Sequence, residues 1–294
     1  VFYRRKILLA LLQIFDNKLD KIRLQKLLFL FSQKQEKPIY HFAPYKFGCY
    51  SYSANADLYV MFRQGLLEEN ETECKKVDQT DYLSQLTQSD YELMHTIKSD
   101  YGIMDKNDLI KHTYLQYPFY AIKSEIAKKL LSKNELKKVQ ASIPEQNDIV
   151  LFTIGYEGIS LEEYLVRLLK NNVKMLVDVR NNPLSMKYGF SKSTLKKCCE
   201  SMGILYEHIP DVGIPSEYRQ KLHSQKDYDM LFEMYKAQVL TETISKQKYI
   251  LNLLKTHRRI ALTCFEADTC QCHRKPLAEA IEKLPEFNYT VKHI

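Results

Sequence analysis

Two residue pairs in this chain, each spaced two apart at the end of an apolar run, carry groups that do chemistry. Asp178 and Arg180 close Met175-Leu176-Val177-Asp178-Val179, and Cys264 and Glu266 close Arg259-Ile260-Ala261-Leu262-Thr263. If each run is a strand, residues two apart point to one side, so a carboxylate would share a cavity with a guanidinium, and a thiol with a carboxylate. Asp178 and Glu266 together could be driven to different pKa values and serve as base and acid; Asp178 could equally be locked in a structural ion pair with Arg180. Cys264 is a candidate thiolate nucleophile, or a small buried apolar residue. The loop that follows adds Cys270, Cys272, His273 and Arg274, where a loop that only turned the chain would favour Gly, Asn and Ser. Its C-x5-C-x-C-H spacing is not the usual structural zinc pattern of C-x2–4-C pairs, so no metal or other cofactor is expected. Were zinc to bind, Cys264, Cys270, Cys272 and His273 would be its ligands.

Two further loops join this set. Gly155-Tyr156-Glu157-Gly158 follows the run Ile149–Ile154 and opens a helix whose N-terminus could hold an anion. It lacks both the G-x-G-x-x-G spacing and the P-loop lysine, which argues against a dinucleotide or triphosphate. Asn181-Asn182-Pro183-Leu184-Ser185 turns past Arg180, with Lys187 beside it, and offers Ser185 and Lys187 as substrate contacts.

The elements needed to gather these loops can be read from the second half of the chain. Apolar runs at 149–154, 175–179, 205–209, 259–264 and 290–294 alternate with amphipathic stretches at 161–169, 193–202 and from about 215 to Thr256. That order predicts an α/β domain over 149–294, a parallel sheet flanked by helices, with the loops at its carboxyl edge, where ligands bind in such sheets. Residues 1–145 have a different pattern. Apolar faces predict helices near 7–15, 22–30, 53–64, 87–99, 106–115 and 119–140, with a small hairpin at 66–77. This makes a mainly α N-terminal domain, winged-helix-like in outline. The polar, Pro-bearing stretch 142–148 marks the boundary between the two.

Composition narrows the function classes. The 294 residues carry 43 Lys and Arg against 36 Asp and Glu, a net charge of +7, which permits nucleic-acid binding without requiring it. No apolar run approaches the roughly 20 residues of a membrane helix, and the first residues fit an amphipathic helix better than a signal peptide. An odd count of 7 cysteines at irregular positions fits a reducing cytoplasm better than a disulfide framework.

Two resemblances follow from these motifs. Thr153-Ile154-Gly155-Tyr156, Leu176-Val177-Asp178-Val179-Arg180, Pro183 with Ser185, Gly203-Ile204-Leu205-Tyr206, and Leu262-Thr263-Cys264-Phe265-Glu266 with Cys272-His273-Arg274 make 149–294 resemble the domain-of-unknown-function 488 family. The resemblance implies an α/β domain and singles out Asp178, Arg180, Glu266, His273 and Arg274, but supplies no reaction. Leu24-Gln25-Lys26-Leu27-Leu28-Phe29 with Pro44-Tyr45-Lys46-Phe47-Gly48-Cys49-Tyr50-Ser51 makes about 1–75 similar to the SocA/Panacea-type antitoxin-associated domain, which implies a binding or regulatory module and a setting in defence. The expectation is an enzyme acting on nucleic acid or a nucleotide, with glycosidic cleavage preferred to phosphoester cleavage. Asp178 would attack or stabilise the sugar carbon and Glu266 would position water. Arg180 and Arg274 would hold phosphate, while Tyr156 and His273 orient the base or leaving group. The alternatives are a thiol-dependent sulfurtransferase or phosphatase-like enzyme using Cys264, and a non-catalytic regulator binding DNA or a protein partner through 1–145.

Overall fold

The computed structural model describes residues 1–215, 218, 222 and 224–294. The chain divides into two compact units, Val1–Ile143 and Pro144–Ile294. The first unit contains α1 (Tyr3–Ile14), β1 (Lys18–Asp20), α2 (Lys21–Lys34), β2 (Ala43–Tyr45), β3 (Gly48–Tyr50), α3 (Tyr52–Arg63), β4 (Leu67–Glu69), β5 (Glu73–Lys76), α4 (Gln88–Tyr101), α5 (Lys106–Gln116), α6 (Ala127–Leu130) and α7 (Lys133–Gln140). Its centre is α2, where Leu24 to Ser32 are all buried. A helix covered on every side must lie inside the unit. Asp20 starts it by accepting from the backbone N–H groups of Ile22 and Arg23 at 2.8 and 3.2 Å, as an N-cap does.

The hairpin expected at 66–77 is β4 paired antiparallel with β5, and β1 adds a third strand on the other side of β5. Two details differ from the sequence reading. The stretch 43–50, for which no strand is predicted, is a two-stranded ribbon of β2 and β3. The helix expected over 119–140 is broken into a 3-10 turn, α6 and α7. Ser124 and Ser132 cause the breaks. The Ser124 hydroxyl accepts from the N–H groups of Ile126 and Ala127, and Ser132 forms a capping box with Glu135, so each serine restarts the chain instead of continuing it.

The second unit contains β6 (Val150–Gly155), α8 (Leu161–Lys170), β7 (Met175–Asp178), α9 (Lys192–Ser201), β8 (Leu205–His208), α10 (Gln225–Tyr235), α11 (Ile244–His257), β9 (Arg259–Cys264), α12 (Arg274–Glu282) and β10 (Thr290–His293). The strands form one five-stranded sheet in the order β10-β6-β9-β7-β8, and every pairing is parallel. Burial explains the near-continuous apolar runs. β6, β7 and β9 are buried at every residue, as strands covered on both faces are. The part of the 215–257 helical expectation that falls on residues 216, 217, 219–221 and 223 lies outside the described residues. No described helix is long and apolar enough to cross a membrane.

Candidate functional site

Because all five strands run the same way, the ends of β6, β7 and β9 meet at one edge. Gly155 aligns with Cys264, and Asp178 with Thr263. Gly155 is needed for the loops to close over this edge. A Cβ there would sit 1.9 Å from the Glu266 carbonyl oxygen, a separation no side chain tolerates. With that space open, Tyr156 and Glu157 donate their N–H groups to the Phe265 carbonyl at 3.1 and 2.9 Å, and Glu157 Oε2 accepts from the Ala267 N–H at 3.0 Å. The β6 and β9 loops are thereby fastened together.

Asp178 and Arg180 do meet, although β7 ends at Asp178. Arg180 Nε donates to Oδ1 at 2.8 Å, Nη2 donates to Oδ2, and the Arg180 N–H also reaches Oδ1. The Tyr206 hydroxyl donates to Oδ2 at 2.6 Å. Asp178 is 0% and Arg180 5% exposed. The remaining arm of the guanidinium, Nη1, donates to the Tyr156 hydroxyl and the Phe190 carbonyl, both at 2.8 Å. Burial works against the charge on Arg180, but the hydrogen bond and charge of Asp178, helped by Tyr156, outweigh it and hold the guanidinium above its ordinary pKa. Burial and then Asp178 push the Tyr206 phenol upward, keeping it a donor. Tyr156 stacks on Phe190 with centroids 4.2 Å apart. The pair thus holds Tyr156 in place, and it is not presented to solvent.

Arg274 is also turned inward. It is 1% exposed and donates to the Glu266 carbonyl and, at 2.9 Å, to the Ala267 carbonyl. The phosphate-holding role expected of Arg180 and Arg274 therefore meets a different arrangement, in which both guanidiniums bind the protein's own loops. Lys187 donates to the Tyr156 carbonyl at 2.6 Å, and burial lowers its pKa. Ser185 braces its turn, its oxygen accepting from the Lys187 N–H at 3.2 Å.

The second constellation is centred on sulfur. Cys264 Sγ lies 3.2 Å from Glu266 Oε2 and 3.5 Å from His273 Nδ1. On the far side of the ring, His273 Nε2 is 3.1 Å from the Val179 carbonyl. A carbonyl only accepts, so Nε2 carries a proton; the Cys264 thiol donates to Glu266 Oε2 and has Nδ1 of the ring as its other neighbour. Cys272 is buried here as well. Burial first, and then the neighbouring Cys264, raise its thiol pKa. One ligand atom each from Cys264, Cys272 and His273 lies within 4.8 Å of the others, so these three could hold a metal ion. Cys270 is not among them. It is exposed, and its carbonyl accepts from Gln225.

Cys264, Tyr156, Arg180, Asn181, Asn182 and Ser185 line a cleft of about 290 Å³, completed by Leu184, Met186, Ile214 and Phe265. Of the residues named from sequence, Cys264, Tyr156, Arg180 and Ser185 border this space, while Glu266 and His273 reach it through Cys264. The segment 160–281 spans both constellations. It matches DUF488, a domain of unknown function. The DUF488 segment includes Asp178, Arg180, Cys264, Glu266, Cys272, His273 and Arg274, and it begins just after the Gly155–Tyr156 loop. No curated protein matches the chain.

Sequence reasoning gave Tyr206 and Phe190 no role, and offered Lys192 only as a phosphate contact. Tyr206 completes the hydrogen-bond set of Asp178. Phe190 backs Tyr156. Lys192 Nζ lies 3.0 Å from Nδ1 of His208, whose Nε2 lies 2.8 Å from the Arg180 carbonyl. A polar tip on the apolar run Ile204-Leu205-Tyr206 was the available signal for Tyr206. The other two depend on how a long loop folds back, which no local pattern encodes.

Proposed function

We propose that the second unit is a thiol-dependent transferase or hydrolase in which Cys264 is the nucleophile and His273 its base, acting on a nucleotide or nucleic acid. The observation that carries this reading is the 3.5 Å approach of Cys264 Sγ to His273 Nδ1, with the ring oriented from behind by the Val179 carbonyl. A nucleophile, a base within reach and a third group fixing the base are the parts needed to activate a weak nucleophile. His273 takes the thiol proton, the thiolate attacks an electrophilic centre in the cleft, and the imidazolium returns the proton to the leaving group. Glu266, which accepts from the thiol at 3.2 Å, orients the sulfur before the proton leaves and then the water or second acceptor that resolves the intermediate. Lys187 on the Tyr156 carbonyl and Lys192 linked through His208 to the Arg180 carbonyl, with the exposed Leu184 and Met186 at the rim of the cleft, support a substrate that carries both phosphate and apolar rings.

This reading replaces the attacking role of Asp178. A carboxylate that accepts four hydrogen bonds, two of them from a guanidinium fork, has no lone pair to offer a substrate. A second reading rests on the grouping of Cys264, Cys272 and His273, which would suit zinc with one open position. The experiment is mass spectrometry of single- and double-stranded DNA and RNA, plain and base-modified, after incubation with the protein, alongside Cys264→Ser and Glu266→Gln. Turnover lost in Cys264→Ser, with the wild-type thiol alkylated faster than Cys270, supports the thiolate. Base release that survives Cys264→Ser but not Glu266→Gln returns the site to carboxylate chemistry. One equivalent of zinc per chain, with Cys264 unreactive until chelation, makes the three residues ligands.

A further inference from the structure

Lys26 in the first unit is a buried cation without a carboxylate. It is 1% exposed, near the middle of α2, and its ammonium donates to the Cys49 carbonyl at 3.0 Å and the Cys49 thiol at 3.3 Å. Among the described residues no Asp or Glu pairs with it. A neutral donor would serve the Cys49 carbonyl equally well without the cost of burying a charge, so that hydrogen bond alone does not account for a lysine. Burial lowers its pKa, with Cys49 opposing.

Lys26 lines a cavity of about 260 Å³ whose walls include Tyr45, Phe47, Tyr50 and Leu58. The one carboxylate on that wall, Glu69, is taken by Lys21 at 3.0 Å. The backbone beside Lys26 is held close to it. Gly48 has φ +90°, and a Cβ there would meet the Tyr114 ring at 2.4 Å and the Lys26 ammonium at 3.1 Å. Next to Lys26, Gln25 fixes the end of β3. Its Oε1 accepts from the Ser51 N–H at 2.9 Å and its Nε2 donates to the Ser51 carbonyl at 3.3 Å.

We propose that this cavity binds a small organic acid with a single negative charge, its carboxylate on Lys26 and its apolar body among Tyr45, Phe47, Tyr50 and Leu58. One compact cation matches one carboxylate. A phosphate dianion would leave charge uncompensated and is better met by the forked donors of arginine. The volume lies just under the range of about 300–1,000 Å³ typical of small-molecule pockets, which limits the ligand to a small acid.

The test is calorimetric titration and thermal shift of the full chain with benzoate, phenylacetate, indole-3-acetate and hexanoate, each against its neutral amide. The expected result is saturable binding of at least one acid, at least tenfold weaker binding of its amide, and at least tenfold loss in Lys26→Met. Asn55→Trp, at an exposed position on the cavity wall, should block entry without touching the ammonium, and so tests the site if Lys26→Met does not fold. Acid and amide binding equally, no acid binding at millimolar concentration, or binding that survives Asn55→Trp would each overturn the proposal.

Discussion

Each unit of this protein buries a cation beside a cavity, and the two are treated in opposite ways. Arg180 lies against Asp178 through two parallel hydrogen bonds and has its third arm on Tyr156 and Phe190. Among the described residues, Lys26 has a carbonyl and a thiol, both from Cys49. The difference separates scaffolding from recognition. A charge fully paired within the protein holds its surroundings rigid and leaves little for a ligand, whereas a charge left without a counter-ion costs stability that a ligand can restore. By this criterion the guanidinium of the DUF488 segment shapes the cleft while Cys264 faces it, and the lysine of the first unit waits for an anion.

Removing the partner of Arg180 should turn it into a second orphan cation, and this is the largest effect expected. Asp178→Asn leaves the guanidinium buried with a neutral neighbour and should cost about 3–5 kcal/mol in denaturant unfolding. Tyr206→Phe removes one hydrogen bond to the same carboxylate and should cost about 1.5–3 kcal/mol. An Asp178→Asn protein as stable as wild type would mean that the pair does not scaffold the edge, and the comparison would fail there.

The part of this contrast that the sequence revealed is the half that depends on regular spacing. Apolar runs alternating with amphipathic stretches placed β6, β7 and β9, and their ends identified Asp178, Arg180, Cys264 and Glu266. Strand ends in a parallel sheet converge whatever the loops do. What the groups face was not legible. Asp178 beside Arg180 reads equally as catalytic or structural until Tyr206, 28 residues away, is seen to fill its last acceptor site. That Cys272 joins Cys264 and His273 while Cys270 stays exposed depends on how the loop folds. Lys26 was visible as a charge inside Leu24-Gln25-Lys26-Leu27-Leu28, yet it was read as part of a resemblance when the charge itself was the signal. The ribbon of β2 and β3 escaped notice because three-residue strands are too short to show alternation.

A smaller effect should separate the sulfur site from its frame. Gly155→Ala places a methyl group against the Glu266 carbonyl, so the β9 loop must move. Overpacking of this kind costs about 1–3 kcal/mol, and the displacement carries Glu266 away from Cys264. Alkylation of Cys264 should change while that of the exposed Cys270 stays the same, read by peptide mass spectrometry. Equal reactivity of Cys264 in both proteins would show that the fastened loops do not position the thiol's partners.

The smallest effect has the opposite sign and addresses Lys26. A buried lysine whose pKa is lowered binds fewer protons in the folded than in the unfolded chain, between its lowered value and the ordinary 10.5. Folding stability therefore rises with pH across that window, and below the window the full cost of the buried charge is present. Lys26→Met, similar in length and without charge, should thus be about 1 kcal/mol more stable than wild type at neutral pH. This advantage should shrink as pH climbs toward 10.5. Cys49, Cys74, Tyr45, Tyr50, Tyr114, Lys21 and Glu69 surround the site; Cys49 is coupled to Lys26, burial raising its thiol and Lys26 opposing that, so the comparison is repeated in a Cys49→Ala background to isolate Lys26. A residue whose removal strengthens the fold is retained for something other than the fold. If Lys26→Met is instead less stable at neutral pH by the same amount, the bond to the Cys49 carbonyl justifies the lysine on structural grounds, and the contrast with Arg180 is lost.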